Sequence, residues 1–177
     1  MERDPDDALL HVSTDDLRSA ASGEANQGGT VERLGTGTLQ LLADWLRRTD
    51  RLTIRPVLDP TRIAPVDRHD PPEPMREAVL LRDGHCVFPG CTVDARSCDL
   101  DHLDPYVPPD DGGPPGQTNL HTLACLCRRH HRLKTFTAWT YQRVEHSVED
   151  TVDHPRVDYL WTSPHGATFR VAVNSLP

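Results

Sequence analysis

Cys86 and Cys91 bracket the four residues Val-Phe-Pro-Gly, and far downstream Cys127 and His130 are separated by two residues. Pro89-Gly90 is suited to turning the chain tightly inside the first gap, and the second pair falls where a helix begins. Thiolate and imidazole are the ligands zinc prefers, and each short gap brings two of them to one point. The spacing therefore predicts a tetrahedral Cys3His zinc site at Cys86, Cys91, Cys127 and His130. The intervening segment has few large apolar residues, so metal binding would supply folding free energy that its own core cannot. Five cysteines cannot all pair, and beside clustered histidines they suggest metal before disulfide. Cys98 and Cys125 remain: each is a small buried side chain, or one of them replaces a proposed ligand.

The rest of the 177 residues is organised around this centre. Residues 1 to about 37 are polar, acidic and glycine-containing and should pack weakly, with a helix start at Ser13 or Thr14. Apolar residues at Leu39, Leu42, Trp45 and Leu46 repeat with a helical period, and residues 51–59 read as a short strand. Six prolines between Pro56 and Pro74 exclude regular structure throughout that stretch. Pro74 suits the first turn of a second helix, EPMREAVLLRDG, which Gly84 ends. After the centre, two or three short strands alternate apolar and polar residues, with a turn at Ser163 to Gly166. The organisation is thus 1–73 as a partial helical flank and Pro-rich linker, 74–144 as the central domain, and 145–177 as a short β extension. No stretch approaches the roughly 20 apolar residues that cross a bilayer, and no secretory signal opens the chain, so a soluble, cytoplasmic protein is expected.

Two elements lie between and beside the knuckles. The strand-like CDLDHLDPY carries Asp101-His102, and RRHHRLK carries His131. The net charge of −8 argues against a chain coated in nucleic acid, but from Ala124 to Val144 there are five Lys or Arg and no acid. On a helix Arg128, His131 and Lys134 share one face, so His131 would be flanked by cations able to take phosphate. Alone, an Asp-His dipeptide is usually just surface and a basic run a solvated helix face.

Together with GGPPGQT, LACLCRRHHRLKT and the trailing Trp-Thr-Tyr and Tyr-Leu-Trp-Thr-Ser-Pro-His-Gly elements, RDGHCVFPGC and CDLDHLDPY resemble the HNH endonucleases. In particular the chain is similar to the actinobacterial group in which an HNH segment follows a large helical domain, the mycobacterial thirteen-E-twelve repeat proteins. The resemblance runs from about Pro74 to Phe169, and residues before it look like the tail of the helical domain of a longer protein. It implies an α+β fold with a small zinc-stapled ββα-metal core of the His-Me finger type, a helical amino-terminal flank and short carboxy-terminal strands. It also implies DNA as partner, His102 as the base that activates water, and Asp101 and His131 as ligands of a catalytic Mg²⁺ or Mn²⁺ ion. Hydrolysis would leave a 5′-phosphate and a 3′-hydroxyl, with Arg128, Arg132 and Lys134 on the DNA backbone.

Geometry sets a condition on this reading. Successive strand residues point to opposite faces, so the strand must twist or end at His102 for Asp101, His102 and His131 to converge on one cation. The sequence also departs from the family pattern. The Asn that names the family falls, counting back from Cys127, on Thr122, whose hydroxyl is shorter and offers one donor. Asn119 and His121 are possible substitutes. The expected function is therefore a metal-dependent HNH endonuclease, with Thr122 weakening activity. The alternative is a zinc-stabilised DNA-binding module with weak or no catalysis, and a third reading is a structural zinc domain that binds protein.

Overall fold

The computed structural model describes residues 62–144 and 157–173, the backbone of three short strands nearer the amino terminus, and Asp44, Arg47 and Arg48. The chain divides into two compact units, residues 1–55 with 176–177, and 56–175. The expected helix start at 13–20 and the strand at 51–59 lie outside the described residues, as does most of the expected helix at 39–48.

In the first unit β1 (Leu10–His11), β2 (Gly28–Val31) and β3 (Gly35–Thr38) form an antiparallel sheet in that order. Here a helical, weakly packing flank was expected, and the described residues instead pair as strands. Threonines at 30, 36 and 38 favour extended backbone, and the glycines beside them add no side chain to fix a face.

The second unit is α+β and takes in the Pro-rich stretch and the carboxy-terminal strands along with the centre. Its first helix, α1 (Glu73–Asp83), starts behind Pro72 with Pro74 in the first turn. It ends at Gly84, whose φ of 65° places it where a side chain would be strained and whose N–H bonds the Leu80 carbonyl at 2.9 Å. Met75, Val79 and Leu80 on its inner face are buried with Leu123 and Cys125 of β5 (Leu123–Cys127). All five residues of β5 are buried, which explains a continuous apolar run rather than an alternating one.

β5 pairs antiparallel with β4 (Cys98–His102), in register Cys98 to Cys127 and His102 to Leu123. It then passes without a loop into α2 (Arg128–Phe136), so the expected strand, loop, strand and helix order is present. The last layer is an antiparallel sheet, β6 (Thr140–Val144), β7 (Val157–Thr162) and β8 (Thr168–Val173), in that order. Its second hairpin turns at Ser163, whose carbonyl accepts from Gly166 N at 2.9 Å, as the sequence indicated. Trp161 of β7 donates from its indole to the Val87 carbonyl at 2.7 Å and stacks on Tyr141 at 4.3 Å, which docks this sheet against the Cys86 knuckle. No helix among the described residues is long and apolar enough to cross a membrane.

A buried ion pair locks α1 to both sheets. Arg82 grips Asp83 through Nε at 2.8 Å and Nη2 at 3.0 Å, and its Nη2 also donates to the Leu123 carbonyl and the Tyr159 hydroxyl, each at 2.7 Å. Asp83 accepts in addition from Cys125 N at 2.8 Å and Tyr159 Oη at 3.2 Å. Burial is the largest influence and opposes the charge on Arg82, yet Asp83 together with Tyr159 and Cys125 holds the guanidinium pKa above its usual value. Asp83→Ala strands that guanidinium in the interior, and chemical denaturation of the zinc-loaded variant is expected to show a loss of about 3–5 kcal/mol.

Candidate functional site

The two knuckles converge. Cys86, Cys91, Cys127 and His130 each offer a ligand atom, and the four atoms lie within 4.8 Å of one another. The first knuckle closes because Cys91 N bonds the Phe88 carbonyl at 3.0 Å, with Gly90 at a φ of 71°. The second sits at the junction of β5 and α2, where the first helical turn carries His130 back over Cys127. His130 Nδ1 is 3.5 Å from Cys86 Sγ and 3.3 Å from Cys127 Sγ. Tetrahedral zinc with its usual bond lengths separates sulfur from nitrogen by about 3.5 Å, so the donor set and its spacing fit a structural zinc ion.

Phe88 stacks on His130 at 3.9 Å and 15°, which fixes the imidazole plane. The Cys98 thiol, then burial, holds Cys86 well above the ordinary thiol range, and burial pushes Cys91 up to about 11. By themselves these thiols stay protonated, and a bound cation reverses that preference. Burial, then Arg129, lowers the pKa of His130, which keeps it neutral as a ligand must be. Neither Cys98 nor Cys125 belongs to the cluster: Cys98 Sγ donates to the Asp94 carbonyl at 3.4 Å, and Cys125 Sγ meets the Val79 carbonyl.

β4 presents two chemically different faces. Asp99 and Asp101 face α2, on the side where Arg128, His131 and Lys134 were expected. His131 Nδ1 is 3.0 Å from Asp99 Oδ2, and its Nε2 is 3.3 Å from Asp101 Oδ1. Asp101 is 5% exposed, and its carboxylate also takes Lys134 Nζ at 3.0 Å and the Tyr141 hydroxyl at 2.7 Å. Lys134, expected on DNA, is thus turned inward, because a buried carboxylate draws the nearest cation; its Nζ also caps the His102 carbonyl at 2.6 Å. Arg128 is exposed and 3.3 Å from Asp99, and exposed Arg132 lies 5.9 Å from the Phe136 ring centre.

His102 faces the other way. Its Nε2 is 2.8 Å from Thr118 Oγ1, and its ring lies 5.1 Å from that of His69 and 5.5 Å from that of Tyr106. Thr118 gives its single hydroxyl proton to the Arg68 carbonyl at 2.6 Å, so it accepts from His102. Nε2 then carries the hydrogen of the neutral ring, and the lone pair is on Nδ1. Burial, with His69 seconding it and Asp101 opposing, lowers the His102 pKa. Asp101 and His131 therefore meet, while His102 stands apart from them with its own partners. The three do not converge as one ligand group; among the described residues the Cys-His cluster alone gathers three or more such donors.

Thr122 does not reach His102. Its hydroxyl donates to the Gln117 carbonyl at 2.6 Å, and Asn119 Oδ1 accepts from His121 N at 2.7 Å and Thr122 N at 3.1 Å, so the two side chains clamp the loop ahead of β5. The residue that holds the imidazole is Thr118, which sequence reasoning passed over, as it did Asp99, Tyr141 and His69.

The chain is 38% identical over 129 residues to the uncharacterized protein Rv2100 of Mycobacterium tuberculosis, covering 73% of this chain and 20% of that protein. It is 39% identical over 99 residues to the uncharacterized protein Rv3776 of the same organism, covering 56% of this chain and 16% of that protein. The chain thus spans a fifth or less of the length of these curated relatives, and the similarity assigns no family. No family model and no solved structure matches it.

Cys91→Ser should release zinc and unfold the centre, whereas His131→Ala should retain it; metal analysis of the two purified variants, read beside circular dichroism, checks this, and equal zinc loss would refute it. In an NMR titration His102 should stay neutral to a pH below the ordinary histidine range of about 6.5, because burial disfavours its charged form.

Proposed function

We propose that this chain is a metal-dependent endonuclease of the HNH kind, hydrolysing DNA phosphodiester bonds with His102 as general base. The observation that carries the reading is the arrangement at the end of β4. Asp101 Oδ1 and His131 Nε2 lie 3.3 Å apart on one face, and the next residue presents a neutral imidazole on the other.

Asp101 and His131 would hold the divalent ion, Mg²⁺ or Mn²⁺. Neighbouring ligands on such an octahedral ion are about 2.9 Å apart, close to the separation found, and Asp99 on His131 Nδ1 selects the tautomer whose Nε2 can coordinate. When bound, the ion supplies positive charge to the phosphoryl and leaving oxygens. The chain's own residues do the rest. His102 Nδ1 takes the proton of the attacking water, while Thr118, anchored on the Arg68 carbonyl, prevents the ring from turning. Arg128 and Arg132 meet the phosphate backbone, contacts that position DNA without reading its sequence.

A zinc-stapled DNA-binding module without catalysis is favoured by one observation. Asp101 is already engaged by Lys134, Tyr141 and His131, so an ion can enter only as Lys134 gives up Oδ1, 3.3 Å from its ammonium.

Plasmid nicking by the zinc-loaded chain with Mg²⁺ or Mn²⁺ separates the readings. Cleavage reduced about 10²–10⁴-fold in His102→Ala, with zinc content unchanged, supports the enzyme. DNA retained without cleavage by either protein supports the binding module, and neither binding nor cleavage supports the protein-binding zinc domain.

A further inference from the structure

The Pro-rich segment ahead of α1 reads in the sequence as a linker, yet it is built into the surroundings of His102. Val66 pairs with Thr118 in an isolated antiparallel bridge, through backbone bonds of 2.9 and 3.3 Å. The Asp67 carbonyl accepts from the Tyr106 hydroxyl at 2.7 Å, the Asp67 carboxylate accepts from Gly116 N, and the Arg68 carbonyl accepts from Thr118. These bonds fix the chain immediately before His69, whose ring is 5.1 Å from that of His102 and edge-on to Tyr106 at 5.3 Å. His69 Nδ1 is 2.9 Å from Asp70 Oδ1. An ionised carboxylate only accepts, so Nδ1 carries a hydrogen, and Nε2 is the ring nitrogen left for other partners. The His69 side chain is 65% exposed and His102 is 7% exposed, so the His69 imidazole lies on the solvent side of the His102 imidazole.

We propose that His69 is a substrate-binding residue whose Nε2 contacts a non-bridging oxygen of the DNA phosphodiester approaching His102. The inference rests on the nuclease reading and adds a contact outside its motif. A phosphorus attacked by water held on His102 lies about 4–6 Å from the base nitrogen, one hydrogen bond plus one attack distance. The His69 ring centre, 5.1 Å from that of His102, falls within that range, and Nε2 is the nitrogen free to donate to a non-bridging phosphoryl oxygen when it carries a hydrogen.

Imidazole ¹⁵N spectra of the zinc-loaded chain, titrated with a short DNA duplex, should shift His69 and His102 and leave exposed His165, in the β7–β8 turn, unmoved. With Mn²⁺, His69→Ala should lower kcat at least about tenfold on plasmid and on bis(p-nitrophenyl) phosphate, with zinc content and thermal midpoint as in the parent. His69→Gln, which keeps a neutral donor, should recover part of that loss. A His69 resonance that DNA leaves unmoved overturns the proposal, and so does His69→Ala cleaving within twofold of the parent while His102→Ala is inactive. A parent that does not cleave but whose His69 shifts with DNA sinks the nuclease reading and keeps the phosphate contact. Should His69→Ala lose zinc or stability, the parent's spectra decide.

Discussion

Three thiols and an imidazole drawn to one point are the constraint on which the second unit depends. Nothing in their own chemistry holds them there: buried thiols repel deprotonation, and four small polar groups facing one another make a poor core. A zinc ion at this cluster would change the sign of each term, because the thiolates would become ligands and the neutral imidazole would complete the shell. Structural zinc in small domains supplies on the order of 10–16 kcal/mol of apparent binding free energy, comparable with the whole stability of a domain this size. One ligand pair lies in the loop after α1 and the other at the start of α2, so a single ion bound there would tie the helix that carries His131 to the loop that carries Phe88.

From there order passes by direct contact to the polar face of β4. Phe88 lies against His130, Trp139 and Trp161; Trp161 stacks on Tyr141; and the Tyr141 hydroxyl reaches Asp101. Through Tyr141 on β6, the strand that pairs with β7, this sheet supplies a hydrogen bond to a buried carboxylate at the candidate site. Burial raises the Tyr141 pKa far above the ordinary phenol range, with Asp101 adding to it, so the hydroxyl remains a donor to Asp101.

Some of this was legible in the residues and some was not, for identifiable reasons. The knuckles were legible because metal ligation demands fixed side-chain types at short fixed gaps, and α1 because Pro74 and Gly84 mark its ends. The roles of Thr118 and the 66–70 segment were not, because they run through the carbonyls of Asp67 and Arg68, and every residue has a carbonyl. Thr122 drew attention by counting back from Cys127, yet the loop path decides which hydroxyl reaches His102, and it is the one four residues earlier. Lys134 was placed on the correct helix face, but its partner depended on the burial of Asp101, which periodicity does not reveal. The glycine-rich β2 and β3 carried too few side chains to signal strands at all.

The two-faced arrangement of β4 also explains how adjacent residues could serve opposite chemical needs under the proposed reading. Were His102 on the face of Asp101, its ring would pair with that carboxylate, gain a proton and lose the lone pair a base requires. Strand alternation prevents this at no cost in side-chain strain, since it is the default of extended backbone. What alternation takes away is convergence on one ion, since Asp101 and His131 share one face and His102 has the other. β4 stops at His102 and the chain bends at Leu103, so both faces border the same strand terminus. Lys134 sits across that terminus with Asp101 on one side and the His102 carbonyl on the other. Under the nuclease reading, a phosphodiester approaching there would meet the cation that Asp101 and His131 would hold on one side and the His102 imidazole on the other, an electrophile and a base on two sides of phosphorus.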